Sequence, residues 1–108
     1  MTNLPRYGLS CFDLRKNKRE KIFEPGAIED GGGKRRAHVL DFSATGALAY
    51  AETPPVPGNI LVLRFAGQAL AGRVAWVENR HFGFVFAAPL SAEAVDRVRR
   101  FGHAAAAA

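Results

Sequence analysis

The segment 60–86, which reads ILVLRFAGQALAGRVAWVENRHFGFVF, decides the fold class of this chain. Two short turn sequences, Ala66-Gly67 and Glu78-Asn79-Arg80, divide it into three apolar runs. In the last run phenylalanine occupies every second position, which is the period of a strand with one buried face. The segment therefore predicts three strands, over 60–65, 69–77 and 81–86.

Three further strands are predicted upstream of this segment, over 22–28, 36–42 and 47–51. Asp30-Gly31-Gly32-Gly33 and the proline-rich stretch 53–58 mark turns between them. Pro25 lies within the first strand, and because proline cannot donate to a sheet ladder, we expect this strand to lie at an edge or to break there. Six short strands at a spacing of about ten residues favour a barrel or a sandwich.

The end of the chain has the pattern of a single helix, over residues 91–101. Ser91 is a good N-cap, and Gly102 is typical of the position that ends a helix. Apolar side chains recur every third residue and form one apolar stripe, which could pack against the rest of the domain or contact a partner protein: Val95, Val98 and Phe101. We expect the alanine tail 104–108 to be frayed.

Length and composition predict one domain, with an irregular arm over 1–14, the barrel and its helix over 15–103, and the tail 104–108. The chain has 108 residues, of which 48% are hydrophobic, enough for one modest core. Its single cysteine, Cys11, excludes an internal disulfide. No apolar run reaches the ~18–20 residues that span a bilayer, and the first residues lack the apolar region of a secretory signal. We therefore expect a cytoplasmic protein.

The basic residues are concentrated in the first third of the chain. Residues 1–36 contain nine basic and five acidic side chains, whereas residues 37–108 contain six and five. Two clusters, 15–21 and 34–36, hold most of the excess. Such clusters indicate an anionic partner, which could be a phosphate, a nucleic acid or an acidic protein surface. A solvated basic face is an equally good interpretation of the charge alone.

No arrangement of residues in the sequence predicts catalysis or a metal site. The three histidines are far apart, and Gly33-Lys34 lacks the earlier glycine and the following hydroxyl residue of a phosphate-binding P-loop. We therefore expect neither an enzyme nor a bound cofactor. The alternating phenylalanines of 81–86 also suit a stacking platform for single-stranded nucleic acid. Beside aliphatic strands such residues are more often core, and we predict that they and Trp76 are buried.

Two short motifs remain, and together they point to a known family. Arg15 and Arg19 stand four residues apart, and the sequence Asp41-Phe42-Ser43-Ala44-Thr45-Gly46 begins 22 residues after Arg19. RxxxR followed by DxSxxG resembles the PilZ domain family, whose members bind the bacterial second messenger cyclic di-GMP. The strand pattern after Gly46 is also similar to that family, so the resemblance covers about residues 12–100.

The resemblance implies a six-stranded antiparallel β-barrel with a C-terminal helix. It also implies a sensor that clamps cyclic di-GMP between an arginine-bearing arm and the barrel face and signals to a partner protein. The positions that match the family's motifs are the implied ligand contacts: Arg15, Arg19, Asp41, Ser43 and Gly46. Lys34 and Arg36 are expected to add phosphate contacts. Leu14 stands where many relatives have an arginine, which favours one bound ligand molecule rather than two.

The chemistry of these residue types fits such a ligand. An arginine fork matches the O6 and N7 atoms of guanine and binds phosphate through two hydrogen bonds. The carboxylate of Asp41 can accept from guanine N–H groups, and the hydroxyl of Ser43 can reach a phosphate or a base. Gly46 either lets the backbone approach the ligand or supplies a positive φ. The same residues could instead have structural roles. The arginines could be solvated charges, and Asp41 and Ser43 could cap turns.

Two other functions stay open on the sequence. One is a PilZ-like adaptor that binds no nucleotide and acts through protein–protein contacts. The other is a small nucleic-acid-binding β-barrel whose basic clusters lie on phosphates. The basic residues are bunched at two places instead of lining a groove, which disfavours this last interpretation.

Overall fold

The computed structural model describes the backbone of residues 19–107 and the side chains of residues 19–101. The predicted arm 1–14 lies outside the described residues, as do Leu14 and Arg15. The elements are β1 (Glu20–Asp30), β2 (Gly33–Phe42), β3 (Gly46–Tyr50), β4 (Ile60–Phe65), β5 (Gln68–Glu78), β6 (His81–Phe86) and α1 (Ala92–Ala107). All six predicted strands are therefore present, with their ends shifted by at most three residues.

The strands close into a barrel in the order β1-β2-β3-β6-β5-β4, and every neighbouring pair is antiparallel. Closure comes from β4, which pairs with β1 from Gly26↔Phe65 to Glu29↔Val62. The predicted six-stranded antiparallel β-barrel with a C-terminal helix is confirmed. A barrel this small is filled by its own side chains, which leaves the outer face for ligands.

Strand alternation places one set of apolar side chains inside the barrel. The largest strand side chains that are fully buried are Phe42, Phe82, Phe84, Ile28, Leu63, Val39 and Val74. Phe86 is only 6% exposed, so the alternating phenylalanines of β6 belong to the core, as predicted. Burial of each large apolar side chain contributes about 1.5–3 kcal/mol to folding. This cluster is the core that stabilises the closed barrel.

Trp76, which the sequence predicts as core, is half-buried on the outer face of β5. The register between β5 and β6 shifts between Val74 and Trp76, so Ala75 is an extra residue in β5 at that point. Val74 faces the core, and the bulge turns Trp76 outward. The prediction is wrong because a one-residue bulge moves every later side chain to the opposite face.

β1 continues through Pro25 without a break. The strand pairs with β2 at Pro25↔His38, whereas its pairing with β4 begins at Gly26. At Pro25 the strand therefore has a single neighbouring strand in the described part of the chain, and the missing N–H is tolerated as it is at a sheet edge. Neither expectation holds for the strand as a whole, because β1 is unbroken and β4 pairs with its second half to close the barrel.

Two of the three residues in the apolar stripe of α1 pack against the barrel. Val98 is fully buried, and Val95 packs against the core, while Phe101 stays half-exposed. Ser91 caps the helix, because its Oγ accepts a hydrogen bond from the N–H of Ala94 at 3.0 Å. The helix is thus fixed at its start by a cap and along one side by burial.

The end of α1 differs from the prediction. The helix continues past Gly102 to Ala107, so it includes most of the alanine tail that the sequence predicts as frayed. A glycine inside a helix costs only about 1 kcal/mol relative to alanine, and alanine has the highest helix propensity of all residues. The alanines that follow Gly102 therefore offset its cost, and the glycine does not end the helix.

Candidate functional site

An ion pair on the outer face of the barrel joins the two predicted motifs. Arg19 lies directly before β1, and Asp41 lies near the end of β2 as the strand partner of Lys21. The Nε of Arg19 donates to Oδ1 of Asp41 at 3.1 Å, and Nη2 of Arg19 contacts the same oxygen. Only 19% of the Arg19 side chain and 15% of the Asp41 side chain are exposed, so water screens the pair only partly. Residues from two separate motifs are therefore in direct contact.

Ser43 closes the turn between β2 and β3 and is fully buried. Its N–H donates to the carbonyl oxygen of Gly46 at 2.8 Å, and its Oγ accepts from the N–H of Thr45 at 3.2 Å. The Oγ of Ser43 also lies 3.2 Å from Oγ1 of Thr45. These contacts match the turn-capping alternative. A ligand contact by this hydroxyl stays a prediction, and it requires the Oγ to exchange one of these partners.

Gly46 is required by the packing of β3 against β6. It pairs with Val85, and a Cβ atom at Gly46 would overlap the carbonyl oxygen of Phe84. Its φ does not lie in the left-handed region, so the positive φ offered as one reason for this glycine is wrong. Close approach of two strands is the reason in this structure. Approach of a ligand to its backbone stays a prediction.

Lys34 and Arg36 lie on β2 but away from the Arg19–Asp41 pair. Lys34 is at the start of the strand, where its Nζ is 3.6 Å from Oε2 of Glu29. At a rise of about 3.3 Å per residue, the Cα atom of Lys34 is about 23 Å from that of Asp41, and the Cα atom of Arg36 is about 17 Å from it. The structure does not bring either residue to the pair, and their phosphate contacts stay a prediction.

A row of outward-facing residues connects Asp41 to Trp76 across four strands. Asp41 pairs with Leu48, Leu48 with Gly83, and Gly83 with Trp76. Neighbouring strands are about 4.8 Å apart, so Trp76 lies about 14 Å from Asp41 on the same face. A Cβ atom at Gly83 would overlap the indole ring, which therefore lies directly against this glycine.

Sequence reasoning missed Trp76 as a neighbour of the motif residues. The usable signal was Gly83, because a glycine inside a strand often marks a place where another group approaches the backbone closely. Three register shifts also border this face, in β1 after Lys21, in β2 before Asp41 and in β5 before Trp76. Bulges of this kind are common beside functional sites, where they re-aim side chains.

A second row of outward-facing residues, all with rings, lies beside the first. The ring of Phe23 in β1 stacks on His38 in β2, with centroids 4.9 Å apart and an angle of 18°. His38 pairs with Tyr50, and Tyr50 pairs with His81 and meets its ring edge-on at 5.4 Å. We call these four residues the ring row. It runs across β1, β2, β3 and β6 on the same side of the barrel as Asp41.

Two further ion pairs tie the barrel together and shift pKa values. The Nε of Arg64 donates to Oε2 of Glu29 at 2.6 Å, which holds the pKa of this carboxyl below its ordinary value and links β4 to β1. Nη2 of Arg99 donates to Oε2 of Glu20 at 3.0 Å, which raises the pKa of Arg99. Since Glu20 follows Arg19, the second pair anchors α1 next to the Arg19–Asp41 pair.

The part of the chain that the structure describes contains no cluster of three or more His, Cys, Asp or Glu side chains suited to a metal ion. Its helix is also too short and too polar to cross a membrane.

The fold and the site together define a class, namely a small closed β-barrel with a C-terminal helix and a charged motif pair on its outer face. The PilZ domain family model matches residues 13–102, and the chain therefore belongs to the PilZ domain family. PilZ domains are binding and adaptor domains, and the family is known for binding cyclic di-GMP.

A solved structure supports the same fold. The crystal structure of the PilZ domain of CeSA from a cellulose-synthesizing bacterium matches with a TM-score of 0.56 and 16% sequence identity. The match covers 82% of this chain and 97% of that one. No curated protein sequence matches the chain. At this identity the structural likeness establishes the barrel and its topology.

Proposed function

We propose that this chain binds cyclic di-GMP on the outer face of the barrel, around Arg19 and Asp41, and signals the bound state to a partner protein. The main support is the ion pair between these residues, because it joins RxxxR to DxSxxG in one place. Membership of a family known for cyclic di-GMP binding supports the choice of ligand. The proposed role is recognition of the dinucleotide and not its chemical conversion.

The second carboxylate oxygen of Asp41 is the acceptor proposed for the ligand. Both contacts from Arg19 end on Oδ1 of Asp41, so Oδ2 is the acceptor proposed for guanine N–H groups. The guanidinium of Arg19 is the group proposed to contact a phosphate oxygen or a guanine base. In this arrangement Asp41 holds the arginine fork in one orientation before the ligand arrives, which reduces the entropy lost on binding.

Arg15 and the arm complete the proposal. Arg15 lies outside the described residues, and its role is argued from the RxxxR spacing alone. We propose that Arg15 binds the second phosphate or stacks on the second base. The dinucleotide would then lie between the segment that carries Arg15 and the barrel face. The surface formed by the bound ligand and the arm is then what a partner protein recognises, as in other switches that order a segment on binding.

The test is titration calorimetry of the purified chain with cyclic di-GMP, with GTP and cyclic GMP as controls, at two salt concentrations. Saturable binding of the dinucleotide alone supports the proposal. Asp41→Ala should weaken it about tenfold or more, because each charge-assisted hydrogen bond contributes about 1.5–3 kcal/mol. Arg97→Ala, at an exposed position of α1, is the matched control and should leave the affinity unchanged.

Two outcomes contradict the proposal and select its alternatives. Absence of binding by the folded wild-type chain favours the adaptor that acts through protein contacts only. Binding of single-stranded oligonucleotides in preference to the dinucleotide, with an affinity that falls steeply with salt, favours the nucleic-acid-binding barrel.

A further inference from the structure

Phe23 presents an aromatic ring to solvent next to the proposed ligand site. Its residue surface is 73% exposed, although it is a large apolar side chain in the middle of a strand. His38 covers one face of the ring by stacking, which leaves the other face open. An exposed ring held in a fixed orientation is suited to stack on another planar group.

The position of Phe23 in β1 relates it to the ion pair. Lys21 is the strand partner of Asp41, and Phe23 follows two residues later, so its Cα atom is about 7 Å from that of Lys21. Both side chains are exposed and face outward. The register shift between Lys21 and Glu24 lies at this point and sets the direction of Phe23. Arg19, Lys21 and Phe23 thus form one continuous edge of cations and an aromatic ring.

We propose that the open face of Phe23 is the stacking platform for one guanine base of the cyclic di-GMP held at the Arg19–Asp41 pair. This inference rests on the proposed function and names a specificity-determining residue outside both motifs. Guanine is planar and aromatic, and bases stack readily on phenylalanine whatever their sequence context. His38 stacks on the opposite face of the ring, and Lys21, which is exposed, lies between Arg19 and Phe23 along the chain and could contact a phosphate.

The same platform accounts for the selection of a dinucleotide over a mononucleotide. A mononucleotide bound at Asp41 through its base has no second base to place on Phe23. A cyclic dinucleotide has two bases joined through its phosphates, so it can contact Asp41 with one and Phe23 with the other. Phe23 therefore contributes to the affinity for the dinucleotide and not to the affinity for GTP.

The experiment compares four variants by titration with cyclic di-GMP. Phe23→Ala and Phe23→Leu remove the ring and should weaken binding at least about fivefold, whereas Phe23→Tyr keeps the ring and should retain wild-type affinity. The control is Ile60→Ala, which removes an equally exposed apolar side chain (71%) from β4. In the pairing of β1 with β4, Val62 lies opposite Glu29, six residues or about 20 Å along β1 from Phe23, and Ile60 lies further away still.

An NMR measurement distinguishes loss of the stacking contact from a change in the structure of the protein. With wild-type chain the H8 proton of a bound guanine should move upfield in the NMR spectrum, and this shift should be lost with Phe23→Leu. If wild type binds cyclic di-GMP and Phe23→Leu binds it equally well with the same H8 shift, the platform is refuted while the proposed function stands. If folded wild type does not bind cyclic di-GMP, the proposed function itself fails, and the platform fails with it.

Discussion

The indole of Trp76 lies against Gly83 so closely that no Cβ atom fits between them. The two residues pair across β5 and β6 on the outer face, and Trp76 is the single tryptophan of the chain. Tryptophan fluorescence therefore reports on this one place, which lies in the same row as Asp41.

Gly83→Ala should destabilise the barrel and displace the indole. The added methyl group overlaps the ring, and overpacking of this kind typically costs about 1–3 kcal/mol. We expect a lower midpoint in urea unfolding and a red-shifted emission, because the displaced ring is more exposed to water. Gly31→Ala is the control, since a Cβ atom there has no neighbour within 4 Å. An unchanged emission spectrum of Gly83→Ala would contradict the contact.

The barrel could be predicted from the sequence because its signals are local. Alternation in β6 and glycine-rich or proline-rich turns identify strands one at a time. The orientation of Trp76 could not be predicted, because it depends on a bulge defined by the register of two strands. The extent of α1 was missed for a different reason, since the alanine tail overrides the usual stop at Gly102.

The candidate site was predictable in part. RxxxR and DxSxxG identified Arg19 and Asp41, and the pairing of β1 with β2 brings these two residues into contact. Phe23 could not be identified, because an isolated phenylalanine in a strand suggests a core residue. Its outward direction depends on the register shift in β1, and its orientation depends on its stack on His38, both of which are tertiary features.

Gly102→Ala should stabilise the C-terminal helix. The residue lies inside α1, so replacing glycine by alanine removes a helix penalty of about 1 kcal/mol. We expect a stronger helical signal in circular dichroism and a small rise in Tm. Val98→Ala is a control with the opposite expected effect. It removes a fully buried contact of the same helix and should lower Tm. A decrease in stability with Gly102→Ala would mean that the helix ends at this glycine in a left-handed conformation.

Arg64→Ala should raise the pKa of Glu29 towards its ordinary value. The hydrogen bond from Arg64 lowers this pKa in the folded state, so the pair contributes stability that is present above the unfolded pKa and is lost as the pH falls through the folded pKa. The effect is small and sensitive to salt, since both side chains are partly exposed. An NMR pH titration of the Glu29 carboxyl measures it. Arg73→Ala, at an exposed position of β5, is the control and should leave the titration unchanged.

Arg19→Ala and Asp41→Ala should weaken cyclic di-GMP binding by about tenfold or more each, and the double variant should lose less than the sum of the two. Removal of either partner eliminates one direct ligand contact and also frees the other side chain from its fixed orientation. Arg15→Ala should weaken binding to a similar extent without affecting this coupling. Titration calorimetry gives the affinities, and thermal unfolding shows that the barrel remains folded. Affinities that stay at the wild-type value in all three single variants would place the ligand elsewhere on the chain.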